Sequence, residues 1–394
     1  MYPEYEAIQA YITSHREEIL KKYETLVNLE GHFSEKENVE LARAFVQSEF
    51  EAEGFKCRIR SVGPNKAGIL VGVLGETRPG KAIMFLGHID TVHYTGSMGA
   101  FEPFYVEDGK AYGPGVYDMK GGILIALYTV KALNHIGFDA CPIKILFAGE
   151  QEGDHIGTNA DEIIQEESKN VKCALCLETG DMKNRLATVR KSQHTFFMTI
   201  TGTGGHAGND FADGGNAIHE AIYKSKEIMQ LTDMEKGTTV SVTSIKAGGH
   251  ITSIPDLCEL VIDVRVITNA ERNRIYHHID KIANTTYVKG THTTYTSYAA
   301  KFAPLVETED SLKFLGFLNR AAEENGLKPF GKAIRGGATD AGNAALGGAT
   351  VLCACGVCGM HAHDKHECAL IDSLFERCII YATAFTKINE LDIS

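Results

Sequence analysis

Residues 81–92 read KAIMFLGHIDTV. From Ala82 to Leu86 every side chain is apolar, so both faces of this extended segment call for burial, as in a central strand of a parallel sheet. The apolar run stops at Gly87, and His88 and Asp90, two residues apart, then point to the same side. A buried strand that ends in polar groups delivers them to the carboxyl edge of its sheet, where open α/β sheets bind ligands. The pattern recurs in PIKILFAGEQEGDH (142–155) and CALCLETG (173–180). It returns in GPGVYDMKGG (113–122), which leads into a helical stretch with Ile123, Leu127, Val130 and Leu133 on one face. Strands alternating with helices predict a largely parallel sheet flanked by helices on both sides.

The pattern changes near residue 190. HTFFMTITG (194–202), TTVSVTSIKAGG (238–249) and LCELVIDVRVIT (257–268) alternate with period two, the mark of half-buried antiparallel strands. Helical segments at 216–231 and 269–284 intervene and TTYTSYAA (293–300) closes the segment, giving the order β-α-β-β-α-β of a ferredoxin-like split unit. The expected division is therefore a catalytic α/β domain of residues 1–189 and 304–394, with residues 190–303 inserted as a smaller domain. At the amino end, residues 5–31 and 36–54 are each expected to form one helix.

At 394 residues the chain exceeds what a single core usually organises, which also favours two domains. Apolar content of 44% and charged content of 23% are those of an ordinary soluble enzyme. A formal net charge of −12 argues against nucleic acid as a partner. No segment reaches the ~20 apolar residues of a membrane span. The first residues, MYPEYEAIQAYITSHREEIL, carry no signal-peptide core, so a cytoplasmic location with reduced thiols is expected for the ten cysteines. Cys173 and Cys176 form a CxxC, yet Cys353 and Cys355 alternate like core residues, and packing is the expected role of these thiols.

Five residues have the chemistry of metal ligands: His88, Asp118, Glu152, Glu178 and His363. Each alone has a plainer reading. An HxD is as readily a structural pair, an Asp before a helix is an N-cap, and GMHAHDKHE (359–367) offers His361 and His366 as rivals to His363. Glu178, ending an apolar strand, is costly to bury unless paired or metal-bound.

Taken together, GHIDTV, GPGVYDMKGG, FAGEQEGD, LETG, VRKS, GTGGHAG, GGNAIHE, GGHITSIP, DVR, RGGATDAG and HAHDKHE, in this order, resemble the dinuclear zinc exopeptidases and deacylases. That family includes glutamate carboxypeptidase, acetylornithine deacetylase, succinyl-diaminopimelate desuccinylase, aminoacylase and tripeptide aminopeptidase. The resemblance implies that Asp118 bridges two zinc ions, with His88 and Glu178 on one and Glu152 and His363 on the other. Cobalt or manganese would accept the same ligands. It further implies that Asp90 orients the site and that His206 assists catalysis across a homodimer formed through the inserted domain. A cis peptide after Asp118 is also implied. The substrate class is a small peptide or N-acyl amino acid with a free carboxylate. Arg335, with Arg265 as second candidate, is expected to hold that carboxylate, because a guanidinium fork matches its shape.

Two positions depart from the pattern. Thr252 stands where the family's loop usually offers an Asn, so amide-type contacts to substrate are lost. In the acidic turn Glu150-Gln151-Glu152, the general-base position is Gln151, whose amide cannot accept a proton, and general-base catalysis is worth about 10²–10⁴-fold. Three readings follow: a form inactivated by substitution, a shifted register with Glu150 as base, or a catalytically silent metal-dependent binder of peptides or amino-acid conjugates.

Overall fold

A computed structural model describes residues 2–96, 104–299 and 301–393. The chain divides into two compact units, Met1–Arg190 with Leu305–Arg335 and Thr339–Ser394, and Lys191–Pro304 with Gly336–Ala338.

In the first unit six strands lie in the order Lys56–Arg60, Ile69–Leu74, Ile143–Ala148, Ala82–His88, Val171–Cys176 and Thr350–Leu352. The last four are parallel, and Ile69–Leu74 runs antiparallel to both of its neighbours. Every residue of Ala82–His88 is buried, as its unbroken apolar run requires. Successive side chains serve opposite faces. Ile83 and Phe85 pack with the helices Gly121–His135 and Ile371–Thr386, whereas Met84 and Leu86 pack with the helix Ala160–Glu167. Gly122 permits the close approach that docks one of these helices, since a Cβ there would lie 2.3 Å from the carbonyl oxygen of Leu177.

None of the ten cysteines forms a disulfide, and nine are buried; Cys353 and Cys355 lie in the cores on opposite faces of the sheet. The amino-terminal segment read as one helix is two, Pro3–Ser14 and Arg16–Asn28. The break falls at His15, whose ring stacks on Tyr11 and whose Nδ1 lies 2.7 Å from the Tyr11 carbonyl oxygen. The His15 N–H is shared between the Tyr11 and Ile12 carbonyl oxygens at 3.2 and 3.3 Å, the bifurcated bond of a helix end.

The second unit runs strand Ser192–Thr201, helix Ala217–Met229, strands Thr239–Ala247 and Leu257–Val266, helix Asn269–Ala283 and strand His292–Ala299. Its sheet has the order Thr239–Ala247, Leu257–Val266, Ser192–Thr201, His292–Ala299, with every pair antiparallel. Phe196, Met198, Ile200, Leu260, Ile262 and Val264 face the two helices and form its core.

Candidate metal centre and active site

Three parallel strands end at the same edge. His88 is the last residue of one, Glu150-Gln151-Glu152 follow Ala148 of the next, and Glu178 lies two beyond Cys176 of the third. Asp118 enters from the turn ahead of the helix Gly121–His135, and His363 from the segment between Gly359–Met360 and Cys368–Leu370. The Asp118–Met119 peptide is cis.

Asp118 stands at the centre. Its Oδ1 lies 3.3 Å from His88 Nε2, and its Oδ2 lies 3.3 Å from His363 Nε2. Glu178 Oε1 is 3.7 Å from His88 Nε2, and Glu152 Oε1 is 3.3 Å from His363 Nε2. The five groups therefore sort into two sets that share one carboxylate. Two ligands on a tetrahedral ion with bonds of about 2.0–2.1 Å stand roughly 3.3 Å apart, so the spacing suits ions between the side chains. One atom from each of His88, Asp118 and Glu152 falls within a single 4.8 Å cluster. The buried Asp118 Oδ1 has no hydrogen-bond partner, the condition of an acceptor built to face a cation.

The supporting contacts are equally specific. His88 Nδ1 lies 3.0 Å from the Asp90 carbonyl oxygen, which turns Nε2 toward the cluster. The Asp90 carboxylate accepts the Glu152 main-chain N–H at 2.9 Å, tying one set to the other. Glu367, almost fully buried, accepts the N–H groups of Gly115 (3.1 Å), Tyr117 (2.7 Å) and Asp118 (2.8 Å) and pairs with His93 Nε2 at 3.0 Å. A single carboxylate thus fixes the whole turn that presents Asp118.

Without cations these groups perturb one another strongly. Burial pushes the Glu178 carboxyl up to about 8. Hydrogen bonding to Asp118 and Glu152 raises the His363 imidazole to about 10. Burial opposes charge on His88, but Asp118 and Asp90 still hold its pKa well above the usual imidazole value. A buried carboxyl that keeps its proton, beside histidines that keep theirs, leaves places that divalent cations fill with release of those protons.

A protein-family description, Peptidase family M20/M25/M40, matches residues 84–387. The chain belongs to this family. Carboxypeptidase G2 of Pseudomonas sp. (strain RS-16) is 31% identical over 394 residues, covering 94% of this chain and 89% of that protein. Acetylornithine deacetylase of Pasteurella multocida (strain Pm70) is 29% identical over 213 residues, 51% of this chain, which spans about half (54%) of that relative. The structure of aminopeptidase PepT from Bacillus cereus ATCC 10987 superposes with a TM-score of 0.79 at 18% identity, over 95% of this chain and 99% of that one. This M20 chain is thus a metallohydrolase by family, with a mainly parallel α/β fold.

The remaining expected site residues fall in different places. Gln151 is buried in the short turn Gln151–Gly153, directly before Glu152. Glu150 is wholly buried, with Oε1 2.6 Å from His155 Nδ1 and accepting from Thr158 Oγ1 at 3.2 Å. Arg335 is half-buried on the strand Gly331–Arg335. Its Nη2 donates to the Thr179 carbonyl at 3.3 Å, and Nη1 lies 3.9 Å from Asp181, just beyond Glu178 in sequence.

In the second unit, exposed His206 and Thr252 are neighbours: His206 pairs with Ser253, and Ala207 N–H donates to the Thr252 carbonyl at 2.8 Å. Arg265 is not brought to them. It lies opposite Gln193 near the other end of the strand Leu257–Val266, its Nε bound to Asp263 at 3.0 Å. Glu367's grip on three main-chain donors, the His93 contact and the buried Glu150–His155–Asp340 group are not expected from sequence patterns. His93, two residues beyond Thr91 in GHIDTV, left only a faint signal.

Among the described residues no helix is long and apolar enough to cross a membrane.

Proposed function

We propose that this chain has the machinery to hydrolyse the amide bond of a small peptide or N-acyl amino acid bearing a free carboxylate, with Gln151 in the general-base position silencing turnover. The observation that carries this reading is Asp118, whose two oxygens face two separate sets of nitrogen and oxygen ligands. His88, Asp118 and Glu178 would hold one cation, and His363, Asp118 and Glu152 the other. Two divalent cations, zinc or in its place cobalt or manganese, supply when bound a Lewis acid for the carbonyl and a more acidic water.

The substrate class is taken from the names of relatives, carboxypeptidase G2 and acetylornithine deacetylase. Arg335, half-buried beside Thr179, is the group that would bind the substrate carboxylate. His206 would act across a homodimer, in the partner subunit's site, and Thr252 would offer substrate a single hydroxyl donor. We read that unit as the homodimer contact, because Ile222 and Met229, seven residues apart on the helix Ala217–Met229, are both more than half exposed.

Gln151 buried beside Glu152 cannot take a proton, so Gln151→Glu should raise the hydrolysis rate of an N-acyl amino acid or dipeptide library by about 10²–10⁴-fold. Equal rates in both forms would remove residue 151 from the mechanism. The same amide favours a second reading, a metal-dependent binder. Calorimetric binding of library members with no turnover in either form would establish it.

A further inference from the structure

His155 lies between two carboxylates in the interior of the first unit. Its Nδ1 is 2.6 Å from Glu150 Oε1, and its Nε2 is 2.9 Å from Asp340 Oδ1. Glu150 and His155 are completely buried and Asp340 nearly so. Carboxylates only accept hydrogen bonds, so an imidazole bonded at both nitrogens to carboxylate oxygens donates from both. The group is a cation between two anions, with Thr158 and Asn343 adding donors to Glu150 Oε1 and Asp340 Oδ1 at 3.2 and 3.3 Å.

This is a poor device for stability alone. The buried Glu150 Oε2 and Asp340 Oδ2 have no hydrogen-bond partner, and buried charge costs more than apolar packing would. Its position suggests another use. Glu150 begins the turn that carries Gln151 and Glu152, and the turn's exit passes through Asp154 and His155, at φ 56° and 55°. Two successive non-glycine residues in the left-handed region hold that shape only when the surroundings impose it. The ring bonds back to the first residue of the turn that it closes. It is also fastened to Asp340, 185 residues away, at the start of the helix Ala341–Leu346.

We propose that His155, clamped by Glu150 and Asp340, is a positioning residue that sets the Gln151–Glu152 turn and so aims Glu152 at its cation. The inference rests on the di-metal reading above. It touches neither substrate nor cation and acts through Glu152, whose main-chain N–H is steadied from the other side by Asp90 at 2.9 Å.

The test uses the full chain as it stands, with Asp340→Asn and Glu150→Gln, which keep shape and remove one anion each, and His155→Ala as the severe variant. If the last fails to fold, the first two decide. Amide hydrogen exchange at residues 151–153 and calorimetric titration of the metal-free protein with zinc are measured on each. Ile163→Val, a core change on the helix Ala160–Glu167, controls for general loosening.

Exchange in the turn should rise at least about tenfold, and one zinc equivalent should weaken by about 10–100-fold while the other is unchanged. The control should move neither. Unchanged exchange, or faster exchange with both zinc affinities intact, overturns the proposal, as does the same pattern in Ile163→Val. A parent protein that takes up no zinc defeats the di-metal reading instead, and the clamp is then judged on exchange alone.

Discussion

Asp118 and His206 both stand in glycine-rich turns, and they are held in contrasting ways. The Asp118 main chain is bonded to buried Glu367, 249 residues away, which also binds two neighbouring N–H groups and His93. The His206 N–H is bonded to Asp210, four residues on, and its ring accepts from the N–H groups of Gly208 and Asn209 at 3.2 and 3.3 Å. One side chain is fixed by groups drawn from distant parts of the chain, the other by its own exposed loop. Cation ligands need positions set before binding, because a misplaced donor weakens every other bond to the ion. A group that meets substrate can remain in a loop and order on contact.

The largest way to sharpen this contrast is His206→Ala in the Gln151→Glu background. It should lower kcat by about 10²–10³-fold, the scale of a lost oxyanion donor, and leave zinc stoichiometry intact. A fall in bound zinc would show that the loop does more than meet substrate.

The histidines supply the next test. His363 and His155 of the first unit sit among carboxylates and are pulled up, whereas burial and then Arg272 push His194 of the second unit down to about 4. A lowered histidine pKa gives stability that is complete above the unfolded value of 6.5 and is lost as pH falls toward 4. His194→Gln should therefore flatten the pH dependence of the second unit's unfolding in that window, by up to about 3 kcal/mol. Denaturant melts at pH 7 and 4.5 measure it, and parallel losses in parent and variant would contradict it.

Glu367→Gln should weaken zinc binding by about 10–100-fold in calorimetry, since an amide holds the Asp118 turn less firmly than a carboxylate. Unaltered affinity would mean that the turn holds itself. The smallest effect belongs to Thr252→Ala in the Gln151→Glu background, a change in KM of less than about tenfold, the worth of one neutral hydrogen bond. Loss of kcat instead would place Thr252 closer to the reacting bond.

The strand of Ala82–His88, the helix after Asp118 and the period-two strands after residue 190 were legible because burial on one or both faces dictates residue type position by position. The break between Pro3–Ser14 and Arg16–Asn28 was not legible, because it lies in the main-chain angles of one residue, His15, and no hydrophobic pattern records those. Asp118, His88, Glu152, Glu178 and His363 could be nominated from types and motifs, since charged groups at the ends of apolar strands call for partners.

By itself the sequence determined the elements, the family and the chemical kinds of group at the carboxyl edge, because these follow from local hydrophobic order and residue chemistry. Only tertiary structure decided that Asp118 offers one oxygen to each ligand set, that Glu150 is committed to His155, and that Arg265 is engaged by Asp263. Those are distances between side chains far apart along the chain or aimed by its folding, and spacing in sequence carries no record of them.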